Sequence, residues 1–172
     1  GALAEHRHGA GRGHRDLIYL NGGASGIGGG VIVGGTVVGG AAGYAGEFGQ
    51  NKPAADPADR RSPGGTVEDE VSRARLLELL GLSPTVDEAA LESALLASQD
   101  PLLRAEVERQ QRILAVALAN AINVLNPERV ILGGFLSSLL AVDSDGLGGL
   151  VGSHALEAAW RTTALSPAAL GS

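Results

Sequence analysis

NGGASGIGGGVIVGGTVVGGAAGYAGEFGQ, residues Asn21 to Gln50, is the stretch from which the rest of the chain is best understood. Two β-branched runs, Val31-Ile32-Val33 and Thr36-Val37-Val38, flank the pair Gly34-Gly35. That spacing predicts a hairpin closed by a tight primed turn. Upstream, Gly22, Gly23, Gly26, Gly28, Gly29 and Gly30 leave little side chain above the backbone. A guest, most often a phosphate, could then approach main-chain N–H groups closely; equally, glycine here could serve only a bulged, strongly twisted strand. Downstream, Gly43-Tyr44-Ala45-Gly46-Glu47-Phe48-Gly49-Gln50 sets one carboxylate among glycines and apolar residues, which weights the run toward a polar site.

Working outward, Asp16-Leu17-Ile18-Tyr19-Leu20 is a short apolar strand that extends the hairpin to a three-strand antiparallel meander. Residues 1–13 read as the end of a helix closed by Gly9, Gly11 and Gly13. His6, His8 and His14 invite a metal reading, but His6 and His8 would point to different sides of a helix and read as solvated surface. On the other flank, residues 51–65 combine three prolines with charge and glycine and predict a loop. Thr66 with Asp69 opens a helix that runs to Gly81, and Thr85 with Glu88 opens another that ends near Ser98. Asp100-Pro101 caps a third, running to Leu125 and about 35 Å long. Its second half, from Ile113, is apolar nearly all round, so it should be buried on two sides. Arg129-Val130-Ile131-Leu132 is a strand, and Gly133-Gly134 leads straight into a helix at Phe135. This suits an anion held between a strand's carboxyl end and a helix's amino end, or a tight packing turn. Residues 142–149 read as a loop, with Asp143 and Asp145 on a surface turn; 150–159 read as a helix and 161–165 as a last strand. Nothing marks Ser25 as a nucleophile.

Composition bounds the function. At 172 residues the chain is one domain, and 44% hydrophobic content supports a packed core. Aromatics are 3%, so the core is Val, Leu, Ile and Ala, and base stacking is poorly supplied. A net charge of −6 argues against direct nucleic-acid binding. With no cysteine, disulfides and thiolate zinc sites are both excluded. No apolar run has transmembrane length and the start lacks a signal sequence, which predicts a soluble, cytoplasmic protein. Methionine is absent even at position 1, so a fragment of a longer protein is expected.

Leu3-Ala4-Glu5 before a glycine-rich link, Asp16 to Leu20, Gly26-Ile27-Gly28-Gly29-Gly30, Gly40 to Gly49, and Asn126-Pro127-Glu128-Arg129-Val130-Ile131-Leu132-Gly133-Gly134 follow one another in this order. Together they resemble the ROK family of sugar kinases and sugar-responsive repressors, most of all its actinobacterial transcriptional regulators. The resemblance implies an α/β, ribonuclease-H-like lobe of the actin/hexokinase type, here the second of two lobes: an antiparallel meander plus helices, then parallel strands. The family's catalytic Asn-Asp pair and first phosphate loop would lie before Gly1, so this chain alone should not transfer phosphate. In the family, the Glu of a G-E-x-G-H motif and the Glu of a C-x-C-G-x-x-G-C-x-E motif bind sugar hydroxyls, while the His and Cys residues hold a structural zinc. Glu47 matches the first Glu and Glu68 the second. Gln50 stands in the His position, and Asp59, Arg61 and Thr66 stand where cysteines should be. The resemblance therefore implies sugar contacts at Glu47, Glu68 and Gln50 without zinc, and a loose segment 51–65 that leaves Glu68 poorly placed. The implied role is the sugar-sensing, homodimerising lobe of a regulator, with helix 101–125 as interface and DNA reached only through an amino-terminal domain. An alternative is the lobe of a glucokinase-like enzyme, with Gly26, Gly28, Gly133 and Gly134 around Mg-ATP; a third is a dimerisation module that has lost its ligand.

Overall fold

Gly34 and Gly35 take φ values of +59° and +82°, the left-handed pair that a two-residue type I′ turn requires. The turn pairs strand β2 (Gly26–Val33) with the short β3 (Thr36–Val37), Val33 opposite Thr36. Strand β1 (Leu17–Gly23) runs antiparallel to β2, from Leu17 opposite Ile32 to Gly23 opposite Gly26. The predicted meander is thus present, and β1 continues three residues beyond Leu20. Its glycines and those of β2 are paired strand residues, with the turn confined to Ala24 and Ser25. Strands β4 (Arg129–Gly134) and β5 (Ala164–Pro167) then add in parallel on the other side of β1, giving the order β3-β2-β1-β4-β5. The computed structural model describes residues Gly1 to Leu170; Gly171 and Ser172 lie outside the described residues.

Alternation along the strands sorts the core into two unequal layers. Ile18, Leu20, Ile27, Val31, Val130 and Leu132 belong to a large cluster with the helices. Leu17, Tyr19, Ile32 and Ile131 face the opposite way, where helix α1 (Ala2–His8) covers them with Ala2, alongside Ala10 and Ala168. The helices of the large layer are α2 (Val67–Glu70), α3 (Arg73–Leu80), α4 (Glu88–Ala97), α5 (Pro101–Leu125), α6 (Phe135–Val142), α7 (Ser144–His154) and α8 (Glu157–Trp160). Asp100 caps α5 by accepting from the Leu102 N–H at 2.8 Å, and Asn126 ends it at φ +43°. Leu114, Ile122, Ala115 and Ala119 on α5 are fully buried, as its apolar second half predicts. The side of α5 left exposed is largely polar, with Arg104, Glu108, Arg112, Asn120 and Asn123 on it. Its exposed large apolar residues, Leu102 and Val124, sit at opposite ends and form no stripe.

Several boundaries differ from expectation for local reasons. The helix predicted over 66–80 is two helices, because the Gln110 side chain bonds the Ser72 backbone from both sides: Ser72 N–H donates to Oε1 at 3.1 Å, and Nε2 donates to the Ser72 carbonyl at 3.2 Å. Ser72 then starts α3 as its N-cap. Helix α4 is capped by Asp87, not Thr85, whose hydroxyl pairs instead with that of Ser83 at 2.8 Å. Residues 144–149, expected as part of a loop, form the first half of α7: Asp143 accepts from the Gly146 N–H at 2.8 Å, and buried Leu147 and Val151 supply the packing that Gly146, Gly148 and Gly149 withhold. The helix expected over 150–159 therefore breaks at Ala155, and the last strand begins at Ala164.

Candidate functional site

The carboxyl end of β1 is stripped of side chains on both sides. Gly28, Asn21 and Gly133 stand in one row across β2, β1 and β4, so Asn21 is the single side chain in it. Nothing lies within 4 Å of where a Gly28 Cβ would be, whereas a Cβ at Gly133 would lie 2.7 Å from Asn21 Oδ1 and 2.8 Å from the Tyr19 hydroxyl. The Tyr19 hydroxyl donates to Asn21 Oδ1 at 3.1 Å. Burial, with the negative charge of Glu5, pushes the Tyr19 pKa up, which keeps that donor protonated. Gly134 is glycine for packing: at φ +58°, its Cβ would meet the Gly22 carbonyl. The tight-turn reading thus accounts for Gly134, while glycine at 133 makes room for the Asn21 and Tyr19 side chains, which occupy the space a Cβ would take.

Beyond that row opens a cleft of about 370 Å³, lined by Asn21, Gly23, Ser25, Gly26, Ile27, Gly28, Glu47 and Glu68. A larger groove of about 600 Å³ runs beside Trp160 and Leu165. It holds none of the predicted sugar or nucleotide contacts, and we take the smaller, two-carboxylate cleft as the site. Glu47 arrives on a backbone-packed loop: Gly46 sits at φ +92° with its would-be Cβ 3.0 Å from the Gly29 carbonyl, and a Cβ at Gly29 would strike the Phe48 ring at 2.5 Å. Phe48 is buried and Glu47 is exposed. Glu47 precedes the turn Phe48–Gln50 without capping it, so its carboxylate is not spent on the helix end.

Glu68 arrives differently. It lies in the first turn of α2, opened by the predicted capping box in which Thr66 accepts from the Asp69 N–H and Asp69 accepts from the Thr66 N–H, both at 3.2 Å. Its Oε2 accepts from the Ile27 N–H at 3.3 Å and its Oε1 from Gln50 Nε2 at 2.5 Å. Gly26, at φ +128°, and Gly49 make room for this carboxylate: a Cβ on either would lie 2.5 Å or 2.9 Å from Oε2. Of the predicted sugar contacts, Glu47 and Glu68 therefore line one cleft and Gln50 touches it through Glu68. Of the predicted nucleotide contacts, Gly26 and Gly28 line it and Gly133 adjoins it.

The segment 51–65 is not loose. Arg109, 2% exposed on α5, spends its five N–H groups on it and its surroundings. Nη1 donates to the Asp59 carbonyl at 2.7 Å and to Glu70 Oε2 at 2.9 Å, Nη2 to the Glu70 carbonyl and to Glu106 Oε1 at 2.7 Å each, and Nε to Glu106 Oε2 at 2.9 Å. Glu70 in turn accepts the Arg61 and Ser62 N–H groups at 3.0 Å and 2.8 Å, and Arg112 grips the Asp59 carboxylate at 2.7 Å and 2.8 Å. Burial works to raise the Glu106 pKa, but the hydrogen bonds from Arg109 and Gln110 outweigh it and hold the carboxyl below its ordinary value. The hydrogen bond from Arg112 lowers that of Asp59.

The residues at the positions of the family's zinc ligands are each committed elsewhere. Asp59 is engaged by Arg112, Gln50 by Glu68, and Thr66 by its capping role. The Arg61 guanidinium donates to the carbonyls of Ala58 and Arg60. These groups do not fit a thiolate–imidazole metal site. Nor do the described residues hold any cluster of three or more metal-ligating side chains. Sequence reasoning missed Asn21, Tyr19 and Arg109. The i, i+2 spacing of Tyr19 and Asn21 on one strand is a usable signal, whereas Glu70 and Asp59, through which Arg109 reaches the segment, lie 39 and 50 residues away from it.

A mixed sheet with helices on both faces and a glycine-edged cleft at the strand ends defines a lobe of the actin/hexokinase ATPase type, the fold of the solved structures it matches. More narrowly, the chain belongs to the ROK family, whose family model matches residues 1–172. Among solved structures it is similar to a ROK hexokinase from Thermus thermophilus, at 27% identity and TM-score 0.72, covering 99% of this chain and 57% of that one. It is also similar to a ROK glucokinase from Streptomyces griseus in complex with glucose and AMPPNP, at 26% identity and TM-score 0.70, covering 99% and 61%. A ROK transcriptional regulator homologous to the Mlc protein of E. coli matches at 24% identity and TM-score 0.75, covering 98% and 46%, and supports the fold alone. An uncharacterised protein of Clostridium perfringens is 28% identical over 137 residues, 77% of this chain and 43% of that protein. The chain thus spans about half the length of the relatives it matches.

Proposed function

We propose that this lobe binds a sugar or sugar derivative, whose hydroxyls donate to Glu47 and Glu68, and that it serves as the effector lobe of a homodimeric cytoplasmic ROK transcriptional regulator. The observation that carries the reading is the pairing of two unlike carboxylates on one cleft. Glu68 is held by the Ile27 N–H and by Gln50, while Glu47 is exposed. A fixed carboxylate beside an accessible one suits a ligand presenting several hydroxyls, since each such bond is charge-assisted. In the intact protein, sugar would favour one closure of the two lobes and so one placement of DNA-binding modules.

The kinase alternative draws on the open backbone at Gly28 beside Asn21, where phosphate could lie close to the main chain, and on the likeness to the Streptomyces griseus glucokinase. A thermal-shift panel separates the two. The intact protein is melted with glucose, N-acetylglucosamine and xylose, with and without Mg-ATP, beside Glu47→Ala. The regulator reading expects a sugar-dependent rise in melting temperature that Glu47→Ala removes and Mg-ATP does not change. A rise with Mg-ATP accompanied by its turnover would replace it with the kinase reading.

A further inference from the structure

The groups that would hold zinc do not fit it, yet the segment they belong to is ordered by contacts, and those contacts converge on one side chain. We propose that Arg109 is a positioning residue for sugar recognition, the centre of a metal-free ionic clip that sets Glu68 in the cleft; this rests on the sugar-binding reading above. Arg109 reaches both sides of the segment. It holds the Asp59 carbonyl in the loop ahead of α2, and it holds both the carbonyl and the carboxylate of Glu70, two residues after Glu68. Glu70 passes the restraint back to the loop through the Arg61 and Ser62 N–H groups. Helix α2 has only four residues, too few to keep its own geometry in water. Its direction is therefore set from outside.

The clip is built to be complete. The guanidinium is 3% exposed, and the Glu70 and Glu106 side chains are 2% and 7% exposed. Arg75 approaches Glu106 at 3.4 Å from the solvent side, so two acids face one buried and one half-exposed cation. Glu106 is itself braced by Gln110 at 2.9 Å, the residue that fixes the break between α2 and α3 at Ser72. The ionic contacts that hold the turn bearing Glu68 thus come from one side of α5, which is rigid because its apolar side lies in the main core. On the other side the turn is held by the Val67 N–H donating to the Asn51 carbonyl at 2.8 Å and by the Ile27 and Gln50 contacts of Glu68 itself. Lysine at position 109 would keep the charge but replace a five-donor fork with a point donor.

The test compares Arg109→Lys with Glu68→Ala, Glu47→Ala and the two double variants in the intact protein. Two readouts are used: the rate of trypsin cleavage after the exposed Arg60 and Arg61, and calorimetric affinity for glucose, N-acetylglucosamine and xylose. Global melting is followed in parallel, so that only variants folded at the assay temperature count. Arg109→Lys is expected to raise cleavage after Arg60 and Arg61 by about tenfold or more through local opening, while EDTA leaves the parent's cleavage unchanged. For whichever sugar binds, Arg109→Lys should weaken affinity, add nothing further to Glu68→Ala, and add fully to Glu47→Ala, since coupled residues are non-additive and independent ones add. A merely structural role would not single out Glu68 in this way. Unchanged cleavage in Arg109→Lys, faster cleavage of the parent in EDTA, or a loss additive with Glu68→Ala would each overturn the proposal. If the parent binds none of the three sugars, the sugar reading falls and the positioning role with it, while the cleavage comparison still reports on the clip.

Discussion

Two segments bring a carboxylate to the same cleft by opposite means. The loop carrying Glu47 is held by what its residues lack: Gly29 and Gly46 let two backbones meet, and Phe48 fills the space beneath. The segment carrying Glu68 is held by what distant residues supply, a buried guanidinium on α5 and the acids around it. The first support is local and steric. The second is remote and electrostatic, and it answers to charge and pH where the first does not. A site built from both can keep one carboxylate fixed and the other free.

The comparison breaks most severely at Arg109. Arg109→Met leaves Glu70 and Glu106 buried without their partner, and an uncompensated charge of that kind costs about 3–5 kcal/mol; urea unfolding should show a loss of that order. On the steric side, Gly29→Ala drives a methyl group toward Phe48 and the Gly46 carbonyl, an overpacking worth about 1–3 kcal/mol. Its melting curve should shift while tryptic cleavage after Arg60 and Arg61 stays as in the parent. Acid sharpens the contrast further. Asp59 and Glu106 have folded pKa values below their ordinary 3.8 and 4.5, so the unfolded chain takes up protons first as pH falls. Their contribution is present in full above that range and is lost as pH drops through it. Melting temperature against pH should fall from about pH 4.5 downward, and the fall should be smaller in Asp59→Asn. At neutral pH Asp59→Asn itself should cost less than about 1 kcal/mol, because Arg112 is 45% exposed and the pair is screened. Glu47→Gln should be the mildest, within about 0.5 kcal/mol of the parent in stability, with its effect confined to ligand.

The difference between the supports also explains what could be read from the sequence. Gly34-Gly35 between β-branched runs, the Thr66–Asp69 capping box and Asp100-Pro101 are short-range signals, and each led to the element observed. The Glu47 loop was legible for the same reason, its glycines lying within a few residues of the carboxylate. Glu68's surroundings were not. The break at Ser72 depends on Gln110, 38 residues on, and the order of residues 51–65 depends on Arg109. On a helix that alternates Glu and Arg, such residues look like any solvated charged face. The first half of helix α7 reads as a loop in the sequence because Gly146, Gly148 and Gly149 weaken helix propensity, and the burial of Leu147 and Val151 restores it.

The most direct measurement is a calorimetric titration of glucose, N-acetylglucosamine and xylose into the intact protein and into Glu47→Gln and Glu68→Gln. The account predicts that at least one sugar binds the parent and that each substitution, which removes charge but keeps shape, weakens it by about tenfold or more, near 1.4 kcal/mol. A sugar that binds both variants as tightly as the parent would contradict the placement of the ligand between Glu47 and Glu68.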